Sequence, residues 1–309
     1  MKHIGILIAL TLLCIGCNRS NEEEMRVAIK GDWISDESKD RSWTAMLSFE
    51  DSVCSIFDRY GLYANFTIYK DTVFIREKLI ERKKTDQDYL EDNQWASGEQ
   101  LVRDGSIFLK FRLMSVLNNQ LIVLLSESDT LKLHKLPMKH NLPFERIGFY
   151  CSTGMRREPE LYLELDRAGN FLFNGRYYTD KRGLYRGKVS VNDISIINNK
   201  VKSINLDELK VVYDAIRTDY RTFGIVIQAG GKTYRGVVEY DFSMPADLHF
   251  LFHKLQELYR NIDLQRDSTV KASFQLESIT PKIQPPPEPQ IKGDSGKLQQ
   301  LDSILLISN

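Results

Sequence analysis

Three spacings in this chain of 309 residues have the residue types that chemistry needs. His249 and His253 stand four apart, with Glu257 four further on. On a helix that spacing sets three metal-ligand side chains on one face. A zinc hydrolase of the usual helical kind carries glutamate next to the first histidine, and Phe250 stands there instead. Both histidines flank an apolar stripe, which favours a structural role, so His249 and His253 stay weak metal candidates. Gly293-Asp294-Ser295-Gly296 would expose a serine on a tight turn. A serine nucleophile also needs a histidine base and donors for the oxyanion, and this one sits in a Pro-rich stretch with neither nearby. Gly230-Gly231-Lys232-Thr233 has the composition of a phosphate loop's end. That loop joins a strand to a helix, whereas here apolar alternation on both sides predicts a hairpin. No catalytic residue, metal or cofactor is assigned.

The remaining reactive group is a thiol near the start. Lys2 precedes an uncharged apolar run from Ile4 to Ile15. The run is shorter than the roughly 20 residues that a membrane-spanning helix needs, and it has the length of a signal-peptide core. Its end, Cys14-Ile15-Gly16-Cys17, resembles a bacterial lipobox, with Cys14 where leucine is usual. The resemblance implies cleavage after residue 16 and diacylglycerol on Cys17; ordinary secretion with cleavage nearby is the alternative. Residues 17–27, with Glu22-Glu23-Glu24, read as an acidic tether. They are similar to the acidic export signals of Bacteroidetes lipoproteins, which implies a cell-envelope location, outer membrane favoured and surface exposure open. Asp51-Ser52-Val53, Asp71-Thr72-Val73, Asp129-Thr130-Leu131 and Asp302-Ser303-Ile304 are similar to that phylum's short O-glycosylation pattern.

Removing residues 1–16 removes one charge, Lys2, and leaves 41 basic against 42 acidic residues. Such a balance offers no broad field for nucleic acid. About 290 remaining residues suggest roughly two domains. Cys54 and Cys151 fall in different halves and read as separate thiols.

Residues 28–139 read as an antiparallel meander of eight strands, opened by Gly31-Asp32-Trp33-Ile34. Trp43, Ala45, Leu47 and Phe49 alternate with polar neighbours, and Ala64, Phe66 and Ile68 turn at Lys70-Asp71 into Val73 and Ile75. Ile107 to Leu113 alternates again, Asn118-Asn119 turns into Leu121 to Leu125, and Leu131 to Lys135 closes the series. Eight such strands close without an exposed edge and can leave room for a small ligand. The Gly-x-Trp opening resembles lipocalin-like domains, which implies that Trp33 plugs one barrel end and that Gly31 allows close packing of the first strand. Glu77 to Gly105 is a charged loop or a helix at the mouth.

Residues 140–265 predict an α+β unit of order ββαββα, one antiparallel sheet with helices on one face. Its hairpins are Leu161–Leu165 with Phe171–Gly175, and Phe223–Ile227 with Tyr234–Val238. One helix begins near Ser190 or Asn192, and Leu206, Leu209, Val212 and Tyr213 add a turn or two. The other opens at Pro245 and buries Leu248, Leu251, Phe252, Leu255, Leu258, Tyr259 and Ile262. Pro159 and Tyr162, Gly169, Asn174-Gly175, Gly183-Leu184-Tyr185-Arg186-Gly187 and Gly231-Lys232 resemble an uncharacterised domain of Bacteroidetes lipoproteins. Related chains carry paired cysteines at the start, where this one has only Cys151. Residues 266–309, with Pro285-Pro286-Pro287-Glu288-Pro289, read as a disordered tail.

Tyr177, Tyr178, Tyr185 and Tyr240 with Arg176, Arg182, Arg186 and Arg235 form a candidate polar-aromatic surface. The expectation is a lipid-anchored envelope lipoprotein that binds a protein partner or a small apolar ligand, without catalysis. The alternatives are a metal-dependent hydrolase on the His249/His253 helix and a purely structural envelope protein. A hollow barrel would favour the ligand; a filled barrel beside an aromatic patch would favour the protein.

Overall fold

The computed structural model describes residues 22–35, 45–57, 62–77, 107–127, 129–152, 159–179, 181–211, 221–238 and 245–269. The first unit is a closed antiparallel barrel of β1 (Gly31–Ser35), β2 (Met46–Phe49), β3 (Val53–Phe57), β4 (Leu62–Tyr69), β5 (Thr72–Glu77), β6 (Ile107–Leu117), β7 (Gln120–Leu124) and β8 (Thr130–Lys135). Strands pair in sequence order, and β8 returns to β1, with Trp33 between Leu47 and Lys135. The short turns follow their residues. Lys70, Asn118 and Asn119 take φ of 55°, 52° and 62°, the left-handed values of tight hairpins. Alternation places Leu47, Phe49, Phe66, Ile68, Ile75 and Phe111 inside, all buried.

Residues 22–29 form a helix, α1, which corrects the acidic tether over 22–27. Ile29 is fully buried in the barrel core, and Met25 packs against it. Glu23 and Glu24 stay exposed on the same short helix. Acidic residues suit a helix N-terminus, so the charge run that reads as solvated linker opens a helix instead.

The second unit is a seven-stranded sheet in the order β14-β13-β9-β10-β11-β12-β15. Its strands are β9 (Phe144–Cys151), β10 (Leu161–Asp166), β11 (Asn170–Gly175), β12 (Gly183–Lys188), β13 (Phe223–Ala229), β14 (Lys232–Val238) and β15 (Gln265–Arg266). The expected hairpins and both helices are present, but ββαββα omits β9, β12 and β15. β9 is the central strand, paired with both β10 and β13. A bulge opposite Gln228 and Ala229 turns both Phe144 and Ile147 inward, and this breaks the period of two that reveals a strand. β15 pairs with β12, so the fold continues past residue 265; the tail from residue 270 onward lies outside the described residues.

Helix α2 (Val191–Ser203) is capped by Ser190, whose hydroxyl accepts from the Asp193 amide at 3.0 Å. A 3-10 turn at Leu206–Glu208 replaces the further α-helical turns expected to Tyr213, whose last residues lie outside the described ones. Helix α3 (Ala246–Leu258) buries the expected stripe. Both helices cover one face of the sheet, where Phe252 packs on Phe149 and Phe223 with ring centroids 5.2 and 5.4 Å apart.

Their other side is buried as well, because the outer wall of β1 and β2 docks on it. Lys200 of α2 donates to Asp32 Oδ1 at 2.6 Å and to Ser48 Oγ at 3.0 Å. Lys254 of α3 reaches Glu50 at 2.6 Å and Asp193 at 2.9 Å. The helices thus form a middle layer between barrel and sheet.

Candidate functional site

Trp33 sits inside one end of the barrel, 1 % exposed. Its indole N–H donates to the Ile29 carbonyl at 2.6 Å, joining it to the end of α1. The Lys135 ammonium lies over the ring, 5.5 Å from its centroid. Gly31, φ 129°, leaves room for that lysine, since a Cβ there would lie 2.7 Å from Lys135 Cε. Above Trp33 the interior is occupied by the chain's own rings. Phe49 meets Phe66 and Phe111 edge-on at 5.4 and 6.3 Å. Residues 36–44, 58–61 and 78–106 lie outside the described residues, and with them all but Glu77 of the expected charged mouth segment.

His249 and His253 are half-buried on α3. Glu257, the third member of that face, is engaged elsewhere. Both its oxygens accept from Arg260, at 2.8 and 2.6 Å. Among the described residues no three His, Cys, Asp or Glu side chains gather as a metal set. Gly230 and Gly231 form the β13–β14 hairpin turn, and the Gly231 amide donates to Glu145 Oε1 at 3.0 Å. A carboxylate of the chain itself thus occupies the amide that a phosphate would want. Cys17 and Gly293 to Gly296 lie outside the described residues. Cys54 and Cys151 are buried free thiols, one in each unit. Burial pushes both up, with Arg221 beside Cys151 opposing the effect.

Part of the expected polar-aromatic set, Arg176, Tyr177, Tyr178 and Arg182, comes together around a centre that the sequence did not reveal. Tyr150 of β9 and Tyr162 of β10 are register partners on the sheet face away from the helices, and their rings stack at 4.5 Å. Arg176 lies over Tyr162 at 4.6 Å and meets Glu160 at 3.6 Å. Burial raises the Glu160 carboxyl above its ordinary range even with Arg176 opposing it. The β11–β12 connection is tied to this stack: Glu160 N–H donates to Tyr177 O, and Arg176 N–H to Glu160 O. Within it Tyr177 is 55 % exposed beside Arg182, and Tyr178 takes φ of 54°. A bulky residue held left-handed costs about 1–3 kcal/mol, a strain that surrounding structure must impose. At Gly175 any Cβ would overlap the Lys181 carbonyl, which fixes how tightly the loop folds back.

The other expected members divide. Tyr185 packs its ring on Phe173 at 6.2 Å and donates to the Arg182 carbonyl, so it belongs partly to the core. Arg186 pairs with Asp267 at 2.5 Å. Arg235 lines a separate open cleft of about 330 Å³ with Leu206, Leu209 and Tyr234. Tyr240 lies outside the described residues. Tyr150 was missed because β9 was missed, and Glu160 because it stands just before β10, outside the alternating run. Chemically, the stack is a set of rigid aromatic faces and a positioned guanidinium beside an exposed tyrosine.

This sheet with its two helices has a relative in sequence. Residues 146–259 match DUF6438, a domain of unknown function. The DUF6438 match runs from β9 to the residue after α3 and includes the Tyr150–Tyr162 stack. The barrel precedes it, and together they fit a two-domain protein. No curated protein and no solved structure gives a significant match.

Proposed function

We propose that the chain is an exported bacterial lipoprotein, anchored by lipid on Cys17, whose folded part is a binding module for a protein partner. The Tyr150–Tyr162–Arg176 stack with exposed Tyr177 carries this reading. Tyrosine and arginine held rigid lose little freedom on binding and are the commonest anchors of protein interfaces. The packed rings inside the barrel favour a protein over a small apolar ligand. The acidic residues after Cys17, the O-glycosylation-like patterns such as Asp71-Thr72-Val73, and the resemblance of the Gly183-Leu184-Tyr185-Arg186-Gly187 stretch support a Bacteroidetes-type envelope lipoprotein.

The test is site-specific photocrosslinking in the cell envelope. A photoreactive residue replacing Tyr177 should give one discrete adduct, and one replacing exposed Lys132 on the barrel should give none. Absence of an adduct at 177, or equal adducts at both positions, would overturn the proposal.

A further inference from the structure

The barrel end closed by α1 carries exposed apolar side chains from four separate elements. Val27 of α1 is 64 % exposed, Tyr69 at the β4 end 62 %, Leu117 at the β6 end 66 %, and Val191 at the start of α2 87 %. Topology sets these positions at one end. The β4–β5 and β6–β7 turns, the β2–β3 turn and the start of β1 all lie there, linked by Leu113 N–H to Asp71 O and Lys135 N–H to Asn119 O. Asp51 in the β2–β3 turn fastens the corner. It accepts from Lys30 at 2.5 Å and from Asn192, beside Val191, at 3.1 Å, while its carbonyl accepts from Arg26, beside Val27. Lys70 lies over the Tyr69 ring at 5.5 Å, a pair with an apolar body and a charged tip.

The chain from Cys17 enters at this same end. Five Cα steps separate Cys17 from residue 22, the first of α1, and at 3.3–3.6 Å per residue they reach about 18 Å at most. A lipid on Cys17 therefore holds α1 close to the bilayer, and the opposite end of the barrel lies farther by the length of its strands. Exposed apolar and tyrosine side chains in that position suit the membrane interface. Exposed Glu23 and Glu24 stand there against exposed Lys30 and Lys70, a mixed charge that suits a zwitterionic surface better than a strongly charged one. We infer that the α1-closed end of the barrel rests on a zwitterionic lipid surface, with Val27, Tyr69, Leu117 and Val191 as its contacts. The inference rests on the reading of Cys17 as the lipid anchor.

The test takes the full chain, processed in a bacterial host fed radioactive palmitate, purified in detergent and returned to phosphatidylethanolamine/phosphatidylcholine vesicles. Leu117→Cys and Val191→Cys carry a polarity-sensitive fluorophore, as does Ser126→Cys in the β7–β8 turn at the other end; Cys54 and Cys151 are too buried to label. Lipids spin-labelled on their acyl chains should quench the first two at least twofold more than the third. Palmitate on the protein with equal quenching at all three sites, or with quenching greatest at 126, overturns the orientation and leaves the anchor standing. Absence of palmitate removes the anchor and the orientation with it.

Discussion

Lys200 Nζ lies 2.6 Å from Asp32 Oδ1, an ion pair between the DUF6438 domain and the barrel wall whose lysine side chain is only 4 % exposed. Ser48, opposite Asp32 in the register, donates to the same carboxylate and accepts from the same ammonium. The charge is therefore satisfied where it is buried, at the junction of the two domains.

Breaking the pair from one side leaves a buried charge without compensation. Asp32→Ala should destabilise the protein by about 3–5 kcal/mol, read from urea unfolding. Replacing both partners, Lys200→Met with Asp32→Leu, should recover most of that loss. An unchanged midpoint in Asp32→Ala would show that the contact is not made in solution.

Lys254 gives a pH signature. Burial alone would lower its pKa, but Glu50 and then Asp193 outweigh that, and the ammonium is held above its ordinary 10.5. A folded-state value raised above the unfolded one gives stability that is full below pH 10.5 and is lost as pH rises through the folded value. Wild type should therefore lose stability with rising pH above 10.5 more steeply than Lys254→Met, measured by thermal melting across that window. Parallel pH curves would contradict the pairing.

The indole hydrogen bond of Trp33 ties α1 to the barrel. Trp33→Phe keeps a ring but leaves the buried Ile29 carbonyl without its donor, a cost of about 1–3 kcal/mol. Amide exchange in residues 25–30 should quicken well before exchange in β7. Equal protection of both segments would place the stability of α1 elsewhere.

The packed aromatic cluster inside the barrel can be opened on purpose. Phe111→Ala should cost about 3–5 kcal/mol and leave an apolar hole. A fluorescent fatty acid or benzene should then bind saturably to the variant and not to wild type. Saturable uptake by wild type, displaced by Trp33→Phe, would favour a ligand carrier over a protein-binding module.

The barrel was legible because most of its inward positions alternate and its turns carry pairs such as Lys-Asp and Asn-Asn. β9 was not, since the bulge at Glu145 spaces Phe144 and Ile147 by three. β12 reads as a glycine-rich connection, because Gly183 and Gly187 bracket half-exposed residues. The lysines of the domain junction were illegible for a different reason. A charge on the outer face of an amphipathic helix normally means solvent, and only a second domain laid on that face makes Lys200 and Lys254 buried. The Tyr162 stack was half visible: Arg176 and Tyr177 stand out by type, but their partners Tyr150 and Glu160 belong to a strand and a lead-in that pattern alone did not show.

Lipid attachment at Cys17 is read out by mass spectrometry of the protein extracted from bacterial membranes. The mature chain should begin at Cys17 and carry diacylglycerol there, and Cys17→Ala should retain residues 1–16 and carry no lipid. A wild-type chain with an unmodified Cys17, or one cleaved elsewhere, would contradict the anchor at Cys17.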